Sequence, residues 1–128
     1  MRFLKTLILP VFLATVWISL SEFVRNELLF KSYWVDHYKD LGIIFPSAPI
    51  NGIVWGVWSL LFAMAIFFMM KKFSVLQTAF LAWLTGFIMM WVVIGNLNVL
   101  PLSLLVFAIP LSFLECILAA WIISKVKA

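Results

Sequence analysis

One uncharged stretch constrains this chain more than any other feature of its sequence. Residues 73–114 contain no Asp, Glu, Lys, Arg or His, and about 20 apolar residues are enough for one helix to cross a bilayer. Two crossings therefore fit in this stretch, and the turn formers between them are Gly95, Asn96, Asn98 and Pro101. The sequence predicts an integral membrane protein.

Two further apolar segments raise the predicted number of spans to four. They lie near the start of the chain and immediately before Lys71 and Lys72. The sequence thus predicts an all-α four-helix bundle in one membrane domain of residues 1–128, with spans at about 4–24, 50–70, 73–94 and 102–124. Composition agrees, because 66% hydrophobic and 11% charged residues leave too little polar surface for a water-soluble globule.

The first segment also has a second interpretation. Arg2 and Lys5 precede an apolar stretch that ends near Ser19 and Ser21, and this pattern is typical of a secretory signal peptide with a small-residue cleavage site. Cleavage would leave three spans and place the two termini on opposite sides. We expect a retained signal-anchor helix, with cleavage as the open alternative.

Basic residues predict how the bundle is oriented. Alternating spans divide the cations into Arg2, Lys5, Lys71, Lys72, Lys125 and Lys127 on one side and Arg25, Lys31 and Lys39 on the other. Because cytoplasmic loops carry the excess of Lys and Arg, both termini are predicted to be cytoplasmic, in a cell membrane that we expect to be the bacterial inner membrane. The net charge of +4 is dispersed at helix ends, so the lipid bilayer is the expected partner and nucleic acid is not.

The predicted outer loop, residues 25–49, contains a short amphipathic segment. Phe30, Trp34, Tyr38 and Leu41 recur at helical spacing between charged residues. This pattern predicts an interfacial helix with its aromatic side chains at headgroup depth, ending at Gly42. Such a helix is either a simple anchor or a lid over an outward cavity.

Glu115 interrupts the apolar pattern of the last span. Residue counting from both ends of that span places it well inside the hydrocarbon, somewhat nearer the cytoplasmic side. An ionised carboxylate is costly there, so the acid is either protonated or paired in a polar cavity. The cations nearest by counting are Lys71, Lys72 and Lys125 at the membrane boundary, so the sequence indicates no basic partner and predicts a protonated acid.

Hydroxyl groups are the predicted partners of this acid. Ser112 lies one turn earlier on the same helix, while Thr15 and Thr85 fall at a similar depth on the first and third spans. Pro110 interrupts the helix nearby and frees a backbone carbonyl. Glu115, Ser112, Thr15 and Thr85 therefore form a candidate intramembrane polar site. The alternative is a neutral structural acid at an ordinary helix kink.

A second polar cluster is predicted at the outer end of the bundle. Its members are Glu22, Arg25, Asn26, Asn51 and Asn96. Glu22 and Arg25 share one helical face and favour an ion pair. The cluster is either an outward vestibule or headgroup-binding site, or a set of helix caps and turn residues.

Small residues indicate which faces of the helices meet in the membrane. Gly52-x-x-x-Gly56 on the second span and Gly86 on the third allow backbones to approach closely. The Gly52/Gly56 motif fits contacts within the bundle, in a homodimer or with another membrane protein. On the last span, the predicted interior face comprises Ala108, Ser112, Glu115 and Ala119.

Catalytic groups are scarce. The single His, His37, lies in the predicted loop, and the single Cys, Cys116, lies in the predicted membrane interior. A nucleophile-base pair and a Cys/His metal site both lack their parts, so we expect no metal, no cofactor and no enzyme activity. An enzyme would have to use Glu22 or Glu115 in acid–base chemistry on a lipid-soluble substrate.

In size and number of spans the sequence resembles the small multidrug-resistance exporters, which also rely on an intramembrane glutamate. Their essential carboxylate belongs to the first helix, whereas the acid in the first span here, Glu22, lies at its outer end. The resemblance therefore assigns no family. Two functional hypotheses follow from the residues: a proton- or cation-coupled small-molecule transporter that uses Glu115, or a scaffold or accessory subunit of a membrane complex.

Overall fold

The computed structural model describes residues 2–127, without the side chain of Lys127, so the ends of the predicted domain at Met1 and Ala128 lie outside it. The helices are α1 (Leu4–Leu29), α2 (Lys31–Asp40), α3 (Pro49–Met69), α4 (Val75–Asn96) and α5 (Leu102–Val126). All except α2 are long and apolar enough to cross a membrane. This confirms the predicted all-α architecture with four candidate spans.

Helix α1 extends beyond the boundary predicted at residue 24. The charged and amide side chains that follow this position indicated an end, but the segment Val24–Leu29 continues as a π-helix, and the Phe30 amide donates to the Arg25 carbonyl over 2.9 Å. Further π-helical segments cover Leu4–Ile8 in α1 and Leu84–Ile88 in α4. Hydrophobicity carries no signal for such changes of hydrogen-bond register, so the sequence did not indicate them.

The spanning helices pack in the spatial order α3, α1, α5, α4. Helix α1 makes extensive contacts with α3 and α5, and α5 packs along α4. Helices α3 and α4 approach each other mainly through the first part of α4, near the turn that joins them. The bundle is therefore closed at the end that carries Lys71 and Lys72, called here the turn end, and opens toward the end that carries α2, called here the loop end.

Small and branched apolar side chains fill the bundle toward the turn end. Fully buried examples are Ala14, Ile18, Ala63, Ile66, Ala79, Ala82, Ala119, Ala120 and Ile123. Helix α4 begins there with a reciprocal cap, because the Ser74 hydroxyl accepts from the Gln77 amide and the Gln77 side chain accepts from the Ser74 amide. This half of the bundle is a solid core.

The three glycines predicted to mediate packing behave differently. At Gly86 a Cβ atom would overlap the ring of Phe62, so α4 packs closely there against a side chain of α3. At Gly52 and Gly56 a Cβ atom would meet nothing within 4 Å. These two glycines therefore do not bring helices together within the bundle, and the interior packing proposed for them is wrong for this chain alone.

The outer surface of the helices is strongly apolar. Large hydrophobic side chains such as Phe12, Ile53, Val92 and Val106 are more than half exposed. A soluble monomer rarely exposes so much contiguous apolar surface, which indicates that lipid covers it. On α5 the predicted interior face is confirmed, because Ala108, Ser112, Glu115 and Ala119 are all buried.

Candidate functional site

A cavity of about 760 Å³ lies at the loop end, where α3 and α4 separate. One part of its wall is aromatic and is formed by Trp34, Tyr38, Phe45, Trp55, Phe87 and Trp91. Gly52 and Gly56 line the side that belongs to α3, which explains why no side chain meets them. The cavity has the size and largely apolar lining of a small-molecule site.

Charged side chains of α1 form the polar part of the wall. Glu22 and Arg25 both line the cavity, yet each is only 5% exposed. Arg25 Nη2 donates to Glu22 Oε1 in a close ion pair. The predicted pairing of these two residues is therefore present, and it is buried.

Asn26 connects this ion pair to the loop. Its amide nitrogen donates to Glu22 Oε2 over 2.9 Å, and its amide oxygen accepts from Trp34 Nε1 over 3.1 Å. Trp34 belongs to α2 and lines the cavity. One continuous hydrogen-bonded chain thus runs from the buried carboxylate of α1 to the helix at the cavity mouth.

Glu115 lies behind the ion pair and is completely buried. Its Oε1 atom is 3.6 Å from Nη2 of Arg25, so the expectation that no basic side chain reaches this acid is wrong. Side chains lean toward the N-terminus of their own helix. Arg25 on α1 therefore leans into the bundle, whereas Glu115 on the antiparallel α5 leans toward the loop end, and the two charged groups meet.

Several polar atoms of this group have no hydrogen-bond partner among the described residues. They are both carboxylate oxygens of Glu115 and Nη1 of Arg25. The Arg25 guanidinium also lies over the ring of Phe87, 5.1 Å from its centre. Arg25 and Phe87 each belong to a π-helical segment, Val24–Leu29 and Leu84–Ile88, and such segments frequently occur at functional sites.

The hydroxyls predicted to bind Glu115 have other partners. Thr15 donates to Val11 O and Thr85, which is exposed, donates to Leu81 O. Ser112 is buried close to the acid in sequence, but its hydroxyl donates to Ile109 O. The structure therefore does not bring the four residues of the predicted intramembrane site together as one hydrogen-bonded group.

Two tryptophans donate hydrogen bonds to α5 near the acid, although neither bonds to its carboxylate. Trp17 Nε1 donates to the backbone carbonyl of Glu115 over 3.0 Å, and Trp83 Nε1 donates to Ser112 Oγ over 3.0 Å. These hydrogen bonds connect α1 and α4 to α5 near the acid. The sequence offered no signal for this role, because Trp is also enriched at membrane interfaces, where it has no such partner.

The two remaining residues of the predicted outer cluster are separated. Asn51 lines the cavity, and its side-chain oxygen accepts from the Ala48 amide over 3.0 Å at the start of α3. Asn96 is exposed at the end of α4, away from the cavity lining. Of the five residues in the predicted outer cluster, Glu22, Arg25 and Asn26 are thus joined by hydrogen bonds. Asn51 caps a helix beside them, and Asn96 lies apart.

The charges of Glu22, Arg25 and Glu115 do not balance. Glu22 and Glu115 share the single guanidinium of Arg25, so the ionised group carries one excess negative charge in a medium where an uncompensated charge is costly. One proton shared by the two acids removes that charge.

The described residues contain no group of three His, Cys, Asp or Glu side chains that would hold a metal ion.

Comparison with protein-family models, with curated proteins and with solved structures found no match to this chain. The cavity and the Glu22–Arg25–Glu115 group are therefore the features of this chain that indicate a function.

Proposed function

We propose that this protein is a small proton-coupled transporter of a cell membrane, with both termini in the cytoplasm and the cavity open to the outside. The observation that carries the proposal is the Glu22–Arg25 ion pair in the wall of a 760 Å³ cavity, with the carboxylate of Glu115 buried directly behind it. Ionisable residues inside a membrane are costly and mark proton or substrate pathways. A bacterial inner membrane fits the distribution of basic residues.

The excess acid couples proton binding to closure of the cavity. Binding one proton makes the group neutral, which favours closure of the cavity around its occupant, because a neutral group is less costly to remove from water. Loss of that proton on the other side restores the excess charge and disfavours the closed form. Glu115 is the proposed proton carrier, while Arg25 holds both acids near each other.

Features of the backbone support a change of opening. The turn end is closed by small residues, whereas the loop end is open, and the two ends are separated by the π-helical segment Leu84–Ile88 of α4. A π-helical turn can move along a helix without breaking it, which turns the side chains beyond it. Such a shift would displace Phe87 from Arg25 and alter the wall of the cavity.

Helix α2 serves as a lid in this proposal and lies in the outer membrane interface. Trp34 and Tyr38 on α2 line the cavity, and His37 Nε2 makes a hydrogen bond of 2.8 Å with the carbonyl of Asn98. The helix is thus held to both α1, through Asn26, and the turn before α5. This arrangement supports a lid better than a simple interfacial anchor.

Cysteine labelling tests the proposed change of opening without knowledge of the substrate. In a Cys116→Ala background, Gly56→Cys places a thiol in the cavity and Ala82→Cys places one in the closed core. A membrane-impermeant methanethiosulfonate reagent should modify the first from outside. It should modify the second only from the cytoplasmic side, at a rate that depends on pH.

Glu115→Gln is the matched variant in this experiment, because the amide keeps the shape of a carboxylic acid but cannot exchange a proton. It should fold and should make labelling at Ala82→Cys independent of pH. An Ala82→Cys thiol that stays unmodified from both sides at every pH would contradict transport.

A scaffold or accessory subunit is the second candidate function. The uncovered glycines Gly52 and Gly56 favour it, since a helix of a partner protein or of a second copy fits closely against such a surface. In that case the core at Ala82 stays closed, and Gly56→Leu abolishes association with the partner. Both outcomes differ from those expected of a transporter.

A further inference from the structure

The unpaired nitrogen of Arg25 indicates the substrate class of the proposed transporter, an inference that rests on the proposed function. Nη1 is buried and has no hydrogen-bond partner among the described residues, although Arg25 lines the cavity. An unpaired buried donor is unfavourable, and more so when it is charged. We infer that the cavity binds a lipid-soluble amphiphile whose uncharged oxygen-bearing head accepts a hydrogen bond from Arg25.

The neighbouring charges argue for an uncharged head. Arg25 is already paired with Glu22, and Glu115 adds a further acid. An anionic head would add negative charge to a group that already has an excess and would require a second proton. A cationic head would be placed against the guanidinium. An alcohol, ketone or ester oxygen satisfies Nη1 and leaves the charge of the group unchanged.

The shape of the cavity argues for entry of the tail from the lipid. Helices α3 and α4 diverge toward the loop end, and Gly52 and Gly56 leave a groove on the α3 side that no described side chain fills. Ile53 and Val57, on the same part of α3, are exposed on the lipid-facing surface. An acyl chain in the outer leaflet can thus pass between α3 and α4 while its head reaches Arg25.

Three probes with the same chain test the head group. They are 11-bromoundecanol, 11-bromoundecanoate and 11-bromoundecyl-trimethylammonium, and their bromine atom quenches nearby tryptophans. Trp34, Trp55 and Trp91 line the cavity, among the 7 tryptophans of the chain. In phospholipid nanodiscs at pH 7, the alcohol should give a saturable quenching component, with an affinity about tenfold tighter than either charged probe.

Three variants, one of them a control, locate the saturable quenching component in the cavity. Gly56→Phe should fill the groove and abolish saturable quenching, because a Cβ atom there meets nothing within 4 Å and Gly56 lines the cavity. Val92→Phe, on a lipid-facing surface that is 67% exposed, is the matched control and should leave quenching unchanged. Arg25→Lys keeps the charge but loses the second nitrogen of the fork, and should weaken binding of the alcohol about tenfold.

Other results would overturn the inference. Tighter binding of the trimethylammonium probe would make the acid pair the head-group site, and tighter binding of the carboxylate would make Arg25 an anion site. Absence of saturable quenching in the wild type, or its persistence in Gly56→Phe, would remove the cavity as the binding site. Binding in nanodiscs needs no transport. Saturable quenching together with an Ala82→Cys thiol that is never modified would therefore contradict the transporter but would still support the inferred ligand class.

Discussion

The guanidinium of Arg25 joins carboxylates that belong to different helices. It pairs with Glu22 on its own helix α1, and its Nη2 lies 3.6 Å from Oε1 of Glu115 on α5. Both acids and the base are at least 95% buried. The interior of the bundle therefore contains a charged contact in which Arg25 is the cation for both acids, and removing Arg25 leaves the two acids without compensation.

Arg25→Gln should destabilise the protein strongly, because it leaves two buried acids without their cation. We expect a loss of roughly 3–5 kcal/mol in the free energy of unfolding, as found when one partner of a buried ion pair is removed. Chemical denaturation in detergent measures this loss. Lys31→Gln is the control, because its 3.0 Å ion pair with Glu27 is partly exposed to solvent and contributes at most about 1 kcal/mol. Equal effects of the two substitutions would argue against the buried group.

Glu115→Gln alone should have a much smaller effect on stability. Arg25 keeps Glu22 as its partner in that variant, and the excess acid is gone. In the Arg25→Gln background, Glu115→Gln should recover part of the lost stability because one uncompensated carboxylate has been removed. A double-mutant cycle measures the coupling between the two residues. A coupling near zero would mean that the 3.6 Å approach has no energetic consequence.

Gly86→Ala and Gly56→Ala should have opposite effects on thermal stability. Alanine favours a helix over glycine by about 1 kcal/mol, so Gly56→Ala, in open space, should be neutral or slightly stabilising. At Gly86 the added methyl group overlaps Phe62, and overpacking of this kind costs about 1–3 kcal/mol. Melting temperatures in detergent compare the two variants, and Phe62→Leu should partly rescue Gly86→Ala. A stabilising Gly86→Ala would show that α3 and α4 are farther apart.

Trp34→Phe should loosen helix α2 without unfolding the bundle. The substitution keeps an aromatic ring but removes the indole that donates to Asn26 over 3.1 Å. Hydrogen exchange of the backbone amides in Lys31–Asp40 should become faster, as mass spectrometry can measure. Tyr33→Phe is the matched control, because no hydrogen bond of its hydroxyl occurs within residues 2–127. Equal exchange in both variants would mean that the contact with Asn26 does not hold the helix.

Reporter fusions test the orientation that the basic residues predict. A reporter at the C-terminus should be cytoplasmic, and one inserted between Ser32 and Asp40 should face outward, because an odd number of crossings separates them. Activity of a periplasmic reporter and fluorescence of a cytoplasmic one distinguish the two sides. Finding both reporters on one side would contradict a four-span topology and with it an outward-facing cavity.

The sequence by itself determined the four candidate spans and the class of protein. Residues 73–114 carry no charge, and the cost of a charge or an unpaired backbone group in lipid is a property of each segment taken alone. Burial of the α5 face with Ser112 and Glu115 was predictable for the same reason, since polar side chains in a span turn away from lipid. The Glu22–Arg25 pair followed from spacing along one helix.

Only the tertiary structure decided what these residues contact. Arg25 reaches Glu115 because antiparallel helices direct the two side chains toward each other, and residue counting gives the depth of a Cα atom rather than that of a charged group. The glycines of α3 line a cavity because α3 and α4 diverge, which depends on how all four helices pack. Spacing along a chain identifies a face of a helix, whereas the neighbour of that face is set by contacts between segments far apart in sequence.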